Sequence, residues 1–262
     1  MLRQPLHGIV IAVSDHGESD KFVTLYTRER GKMRALAKGA RRSRKRFVNK
    51  LEEFSYLRLQ HRASRAGGLP LITEAELLDP HLPLRLRHER FLPGMFLCEL
   101  IQRFTLDDDA EPRLFQLLRW GLAQLCQGNA PLRTAALFHL RLLDLCGYRP
   151  GLEQCGRCGS PLGNTPPGGF SPLSGTICCR TCSRLARSGL LPLQLQTLRL
   201  LRDGLALDLS RLPRLGFPPG ALAESFTLLD AMSRHLLRDE LRCLKPLAEQ
   251  LNRDSGSHLR TR

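Results

Sequence analysis

A chain of 262 residues in which 42% are hydrophobic is long enough to bury a substantial core, which excludes an intrinsically disordered protein. Its formal charge of +15 and pI of about 10.1 imply an anionic partner, nucleic acid ahead of an acidic membrane surface. The apolar stretch Gly8–Val13 is too short for a signal peptide and no run approaches transmembrane length, so the sequence predicts a cytoplasmic protein outside the membrane.

Residues 6–78 read as strands. Leu6–Val13 is the first, and Ser14–Asp20 is rich in turn formers. Lys21–Thr27 is the second, turning at Arg28–Gly31 into a third, Lys32–Lys38. Leu51–His61 alternates again, Ala66–Gly68 makes a turn, and Leu71–Leu77 closes the series. Five short strands in about seventy residues suit a small closed barrel of the OB type, which hides its edges and commonly binds nucleic-acid strands. Other small barrels give the same pattern.

Between the third and fourth of these strands the chain becomes a run of cations. No Asp or Glu occurs between Glu29 and Glu52, so the nine basic side chains from Lys32 to Lys50 have no acidic neighbour in sequence. A blocky positive run is either a solvated segment or a polyanion footprint, and its place inside a β-domain favours the second. The candidate phosphate contacts are Arg34 and Lys38 on the strand and Arg41, Arg42, Arg44, Lys45 and Arg46 in the loop. Phe47 beside them has two readings: a ring that stacks on a base, as single-strand binders use, or a plug in the barrel mouth. If about six cations engage phosphates, the log–log salt slope is roughly −4 to −5. Few groups here suit base reading, so the expected sequence preference is weak.

Asp79-Pro80 and Pro83 mark a change of period. From Arg87 the apolar residues Phe91, Met95, Cys98, Ile101 and Phe104 fall three or four apart, as in a helix. A second helix runs from Glu111 to Gly128 and a third from Pro131 to Cys146, stopping at Gly147. Helical spacing resumes near Leu193, breaks across Gly204–Gly220, and returns as one long helix carrying Leu222, Phe226, Leu229, Ser233, Leu236 and Leu237 on one face. Asn252–Arg262 reads as a frayed tail.

The helices are interrupted by Cys155-Gly-Arg-Cys158, twenty intervening residues, and Cys179-Arg-Thr-Cys182. Two C-x-x-C knuckles at this separation match a four-cysteine zinc module, because each two-residue gap lets both thiolates point inward. The loop between them is rich in Gly and Pro and holds too little apolar material to fold unaided, so metal binding supplies its stability. Cys178 competes with Cys179 for the third position; Cys179 is preferred because it keeps the knuckles equivalent. Four thiolates fill a tetrahedral shell, so the expected metal is one structural zinc per chain, with a redox dithiol as the alternative. Cys98, Cys126, Cys146 and Cys243 are scattered through apolar helical patterns and read as small buried hydrophobes.

No catalytic centre emerges. Ser14, Asp15, His16, Glu18 and Asp20 crowd one turn and read as turn chemistry. His7, His61, His81, His88, His139 and His235 lack metal-ligand spacing, and Trp120 reads as core. No phosphate loop, dinucleotide turn or zinc-protease helix motif is present. The expectation is therefore a non-enzymatic, α+β multidomain protein. Residues 1–79 form an OB-fold β-barrel that binds nucleic acid, and 80–150 and 187–251 form two parts of an α-helical domain. Residues 151–186 are an inserted zinc module and 252–262 a flexible tail. Charge and an OB barrel serve RNA as well as DNA, so an RNA-binding zinc-ribbon protein is the alternative.

Several of these segments resemble the bacterial RecO family of recombination mediators. They are Gly8–Ile11, His16-Gly-Glu-Ser-Asp20, Val23–Lys32, Ala37-Lys-Gly-Ala-Arg-Arg-Ser43, the pair Arg46-Phe47, Leu51-Glu-Glu-Phe54, Glu74-Ala-Glu-Leu-Leu78 and the cysteine module. The resemblance runs in order along nearly the whole chain, specific at the N-terminus and cysteines and loose in the helices. It implies an OB domain, a helical domain and a zinc module. It implies DNA repair by recombination: binding single- and double-stranded DNA, annealing complementary strands, and acting with RecR to load RecA onto strands coated by single-strand-binding protein. Contact with the C-terminal tail of that coating protein, at a site in the helical domain, is implied too, in the cytoplasm and at the nucleoid. The family's DNA-binding role maps onto Arg34, Lys38, Arg41, Arg42 and Arg44. Some members lack part of the cysteine set; this chain keeps all four.

Overall fold

The computed structural model describes residues 4–63, 68–128, 130–185 and 189–257, the last seven of these by their backbone alone. The chain divides into two compact units, 1–126 and 127–262.

The first unit holds a closed five-stranded barrel in the order β1-β2-β3-β5-β4, with β1 (Leu6–His16), β2 (Asp20–Thr27), β3 (Gly31–Ala37), β4 (Tyr56–Arg62) and β5 (Leu71–Asp79). All pairings are antiparallel except β3 with β5, which meet in parallel at Leu36 and Leu71, and β4 closes the ring on β1. That is the OB arrangement, with no free sheet edge. Strand parity decides which side chains face in. Along β3, Gly31, Met33, Ala35 and Ala37 are buried, while Arg34 between them is exposed. Val10, Val23, Leu25, Met33, Leu57, Leu59 and Ile72 join in one core.

The β1–β2 turn is tighter than its composition suggested. The ladder continues to the pair His16–Asp20, leaving only Gly17, Glu18 and Ser19 to reverse the chain, with Gly17 at φ 57°. The fourth strand starts later than its alternation suggested, at Tyr56. Phe54 stands at φ 70°, and its backbone N–H donates to the Val10 carbonyl at 2.9 Å. This twist turns the Phe54 ring away from a strand position and onto the next helices, edge-on to Phe91 at 5.6 Å. Of the turn expected at Ala66–Gly68, Ala66 and Gly67 lie outside the described residues.

Three helices belong to the same unit as the barrel, so the compact units do not divide at residue 79: α1 (Leu82–Leu86), α2 (His88–Phe104) and α3 (Pro112–Gln127). Gln102 on α2 donates to the Ile11 carbonyl at 3.0 Å. Lys32 reaches from β3 to the carbonyls of Gln102 and Thr105 at 2.9 and 2.6 Å, a cation on the negative end of α2.

In the second unit, α4 (Pro131–Leu145) is buried on nearly every side and packs against α6 (Leu195–Ala206) and α7 (Pro219–Leu237). Close approach of α4 and α6 depends on Gly204, where a Cβ would meet Leu140 Cδ2 at 2.9 Å. Arg141 closes the end of α6 by donating to the Leu205 carbonyl at 2.6 Å. After α7 the chain reverses at Arg238 (φ 53°) into α8 (Leu244–Ser257). The helix thus continues through Asn252–Ser257, where a tail was expected; residues 258–262 lie outside the described residues. No described helix is long and apolar enough to cross a membrane.

Between α4 and α6 lies a small module built on β6 (Gly169–Ser171), β7 (Thr176–Cys178) and the short α5 (Arg180–Arg184). Arg202 on α6 fixes it in place, donating to the Leu152 and Gly163 carbonyls at 2.6 Å each.

Candidate nucleic-acid interface and metal centre

The loop from Lys38 to Lys50 joins β3 to β4, and the structure sorts the cations from Lys32 to Lys50 into two sets. Lys32, described above, and Lys50, which donates to the Ala75 carbonyl at 2.8 Å, are tied to backbone and serve the fold. Lys38, Arg41, Arg42, Arg44, Lys45 and Arg46 are exposed, as is Arg34 on the outer face of β3. The seven candidate contacts thus all reach solvent on the barrel.

Three observations refine that surface. First, the run lacks acidic neighbours in sequence but not in space. Arg41 Nε lies 3.5 Å from Asp15 Oδ2 and Arg42 Nη2 lies 3.2 Å from Glu18 Oε2, because the short β1–β2 turn brings these carboxylates under the loop. Arg44 and Lys45 make no ion pair among the described residues. Second, the loop is anchored by the hairpin. The Gly39 N–H donates to Asp20 Oδ1 at 2.8 Å, and that bond, with one from the Ser19 hydroxyl, holds the Asp20 carboxyl below its ordinary value. Third, Phe47 is the plug: it is 3% exposed and packs in the barrel core, so it is not a stacking ring. Arg46 lies over that ring, its guanidinium carbon 4.4 Å from the centroid, and donates to the Lys38 carbonyl at 2.6 Å.

The aromatic that the sequence reading missed is Phe22. It lies on β2 out of phase with the buried Val23 and Leu25, so strand parity already put it on the outer face. Arg34 stacks over it at 4.3 Å and His16 lies against it at 4.1 Å. A cleft of about 400 Å³ lined by Lys21, Arg41, Ser43, Asn49 and Glu52 opens beside the loop, with Lys21 paired to Glu52 at 3.1 Å.

In the second unit, the Sγ atoms of Cys155, Cys158, Cys179 and Cys182 all lie within 4.8 Å of one another. Cys158 and Cys179 are 3.9 Å apart, close to the ~3.8 Å edge of a sulfur tetrahedron with Zn–S bonds of about 2.3 Å. Backbone N–H groups point at the sulfurs: Cys179 N–H at Cys155 Sγ and Cys182 N–H at Cys179 Sγ, both at 3.4 Å. The knuckle turns are made possible by glycine. Gly159 takes φ 73°, and a Cβ on Gly156 would sit 2.0 Å from Thr176 Oγ1. Burial raises the Cys155 thiol, but the N–H groups of Cys179, Cys158 and Arg157 outweigh it and bring it down to about 6. Hydrogen bonds between its thiol and the sulfurs of Cys179 and Cys158 favour the protonated form and push Cys182 up to about 12. The donor set and spacing therefore fit a thiophilic cation such as zinc. Cys178, buried on β7, is outside the cluster.

A groove of about 490 Å³ between α7 and α8 has an apolar floor of Phe226, Leu241 and Leu244. Its Arg234 is already held by Asp230 at 2.7 Å and Glu240 at 3.4 Å. His139 and Ser233, 2.7 Å apart, pair inside the α4–α7 core, where both are fully buried, and so serve packing.

Comparison with known proteins agrees with these parts. Residues 1–81 match the family model "Recombination protein O N terminal" and residues 85–245 match "Recombination protein O C terminal". A DNA repair protein RecO from Syntrophobacter fumaroxidans is 39% identical over 242 residues, covering 92% of this chain and 95% of that protein. Its namesakes from Syntrophus aciditrophicus and Geobacter sulfurreducens are 32% and 35% identical, covering 92% and 88% of this chain and 94% and 91% of theirs. An OB barrel, a helical region and a four-cysteine cluster, matched by both family models, show that the chain belongs to the RecO family of DNA repair proteins.

Proposed function

We propose that the chain is a non-enzymatic recombination mediator that binds single- and double-stranded DNA through the outer face of its barrel. The single observation that carries this reading is the exposed cation cluster of Arg34, Lys38, Arg41, Arg42, Arg44, Lys45 and Arg46 on an OB barrel. Phosphates bind there through counterion release, and strands held without base-specific contacts stay free to pair with a complement. Annealing of complementary strands follows. The family relationship adds the cellular setting: work with RecR to load RecA onto DNA coated by single-strand-binding protein, contact with that protein's C-terminal tail, and a place in the cytoplasm at the nucleoid. Cys155, Cys158, Cys179 and Cys182 hold one structural zinc, which ties the ends of a Gly- and Pro-rich segment together and leaves no open coordination position.

The test is Arg41→Ala/Arg42→Ala/Arg44→Ala. Losing these three cations should weaken single-strand binding and reduce the log–log salt slope by about 1, most of it from the unpaired Arg44, since Arg41 and Arg42 already neutralise Asp15 and Glu18. Annealing of strands coated with single-strand-binding protein should slow in parallel. Unchanged binding at moderate salt removes the loop from the interface, and RNA outcompeting DNA of the same length removes DNA as the partner.

A further inference from the structure

At the far end of β1 from the basic loop, the first unit carries a second cleft, of about 330 Å³, lined by Tyr56, Asp79, His81, Gln116, Arg119 and Trp120. Sequence periodicity put Trp120 in the core, yet it is only half-buried. Its Nε1 is buried, so the area it shows to solvent is carbon, a stacking surface without a donor. The Arg119 guanidinium lies 5.0 Å over the Tyr56 ring and makes no ion pair among the described residues. Phe115 backs Tyr56, the ring centroids 6.1 Å apart. The polar groups sit at the rim. The Gln116 side chain is exposed, and the Asp79 carboxylate accepts the His81 backbone N–H at 2.8 Å with one oxygen. The other oxygen stays 3.7 Å from the His81 ring.

Aromatic carbon, a flat guanidinium that is free to bond, an amide and a carboxylate are the groups that together hold a nucleotide. Rings and guanidinium planes stack on a base, Arg takes the phosphate, and amide and carboxylate reach the base edge. The volume is at the lower end for small-ligand sites, enough for one nucleotide and too little for a helix. One cation beside one carboxylate also disfavours an acidic peptide, which brings several charges of one sign.

We infer that this cleft takes one unstacked base and its phosphate from a single strand, as a DNA contact separate from the basic loop. The inference rests on the DNA-binding reading above. Tyr56 pairs with Ile9 on β1, while the basic loop meets the same strand at Asp15. Six strand residues span on the order of 20 Å. The internucleotide phosphates of a trinucleotide are too close together, even in an extended strand, to bridge that distance, so a trinucleotide cannot occupy both sites.

Trp120 is the chain's single tryptophan, so its fluorescence reports the cleft directly. The experiment titrates the full chain with a single-stranded trinucleotide, a single-stranded 12-mer and the corresponding 12-bp duplex. Saturable quenching is expected with both single-stranded probes and not with the duplex, whose bases stay stacked. Arg119→Ala, an exposed position that leaves the core intact, should weaken trinucleotide quenching about tenfold. Arg41→Ala/Arg42→Ala/Arg44→Ala should leave it within about twofold while weakening the 12-mer. Absence of trinucleotide quenching, its persistence in Arg119→Ala, equal quenching by the duplex, or tighter quenching by an acidic peptide would each overturn the inference. If the loop variant also abolishes the trinucleotide signal, the cleft is not a separate site. If the loop variant binds the 12-mer normally, it is the loop reading that fails, and the cleft is judged on the trinucleotide alone.

Discussion

His139 shows how a single buried side chain sets a pH limit on this fold. Complete burial in the α4–α7 core holds its pKa down to about 3, against 6.5 when exposed. Below pH 6.5 the unfolded chain therefore binds a proton that the folded chain refuses, and stability is lost as pH falls from 6.5 toward 3. Between pH 7 and pH 5 this one group costs about 2 kcal/mol. His139→Gln keeps a polar partner for Ser233 and removes the titration. Urea unfolding at the two pH values should show the parent losing about 2 kcal/mol more than the variant, and equal losses would contradict the assignment. By spacing alone His139 is only a histidine without ligand partners; its burial comes with the packing of α7, which lies far along the chain.

Among the elements, the cysteine module was the most legible, because ligand spacing is a local property. C-x-x-C places two sulfurs on one side of a turn whatever the rest of the chain does. The choice between Cys178 and Cys179 was not local. It is made by the β6–β7 ladder, where Cys178 pairs with Gly169 as the last strand residue and Cys179 becomes the N-cap of α5, its sulfur accepting the Cys182 N–H. Cys178→Ser should accordingly retain about one zinc per chain on metal analysis and Cys179→Ser should lose it. The reverse result would move the site by one residue. The β1–β2 turn is the opposite case. Its polar composition marked a reversal, but the ladder extends into it because antiparallel pairing satisfies backbone groups that a longer turn leaves to water.

For the whole first unit, the relevant quantity is how much of the positive charge is available. Arg41 and Arg42 are 3.5 and 3.2 Å from the carboxylates of Asp15 and Glu18, so phosphate must replace a carboxylate there, and little counterion is released. Asp15→Asn/Glu18→Gln frees both arginines. Single-strand affinity at low salt should rise several-fold and the log–log slope should steepen by about 1, read from binding isotherms across a salt series. An unchanged affinity would mean that these two arginines do not face the DNA.

Taken alone, the sequence determined what depends on spacing and sign. The strand alternation, the helical periods, the paired knuckles and the uninterrupted cations are each written within a few residues, so barrel, helices, cysteine cluster and charge surface could all be read from it. Tertiary structure decided what depends on long-range neighbours. Barrel closure buried Phe47, the hairpin turn put carboxylates beneath the loop arginines, and the approach of α3 to β4 set Arg119 over Tyr56. The physical reason is common to all three. Burial and charge pairing are fixed by groups far apart in the chain, and no local pattern records who those partners are.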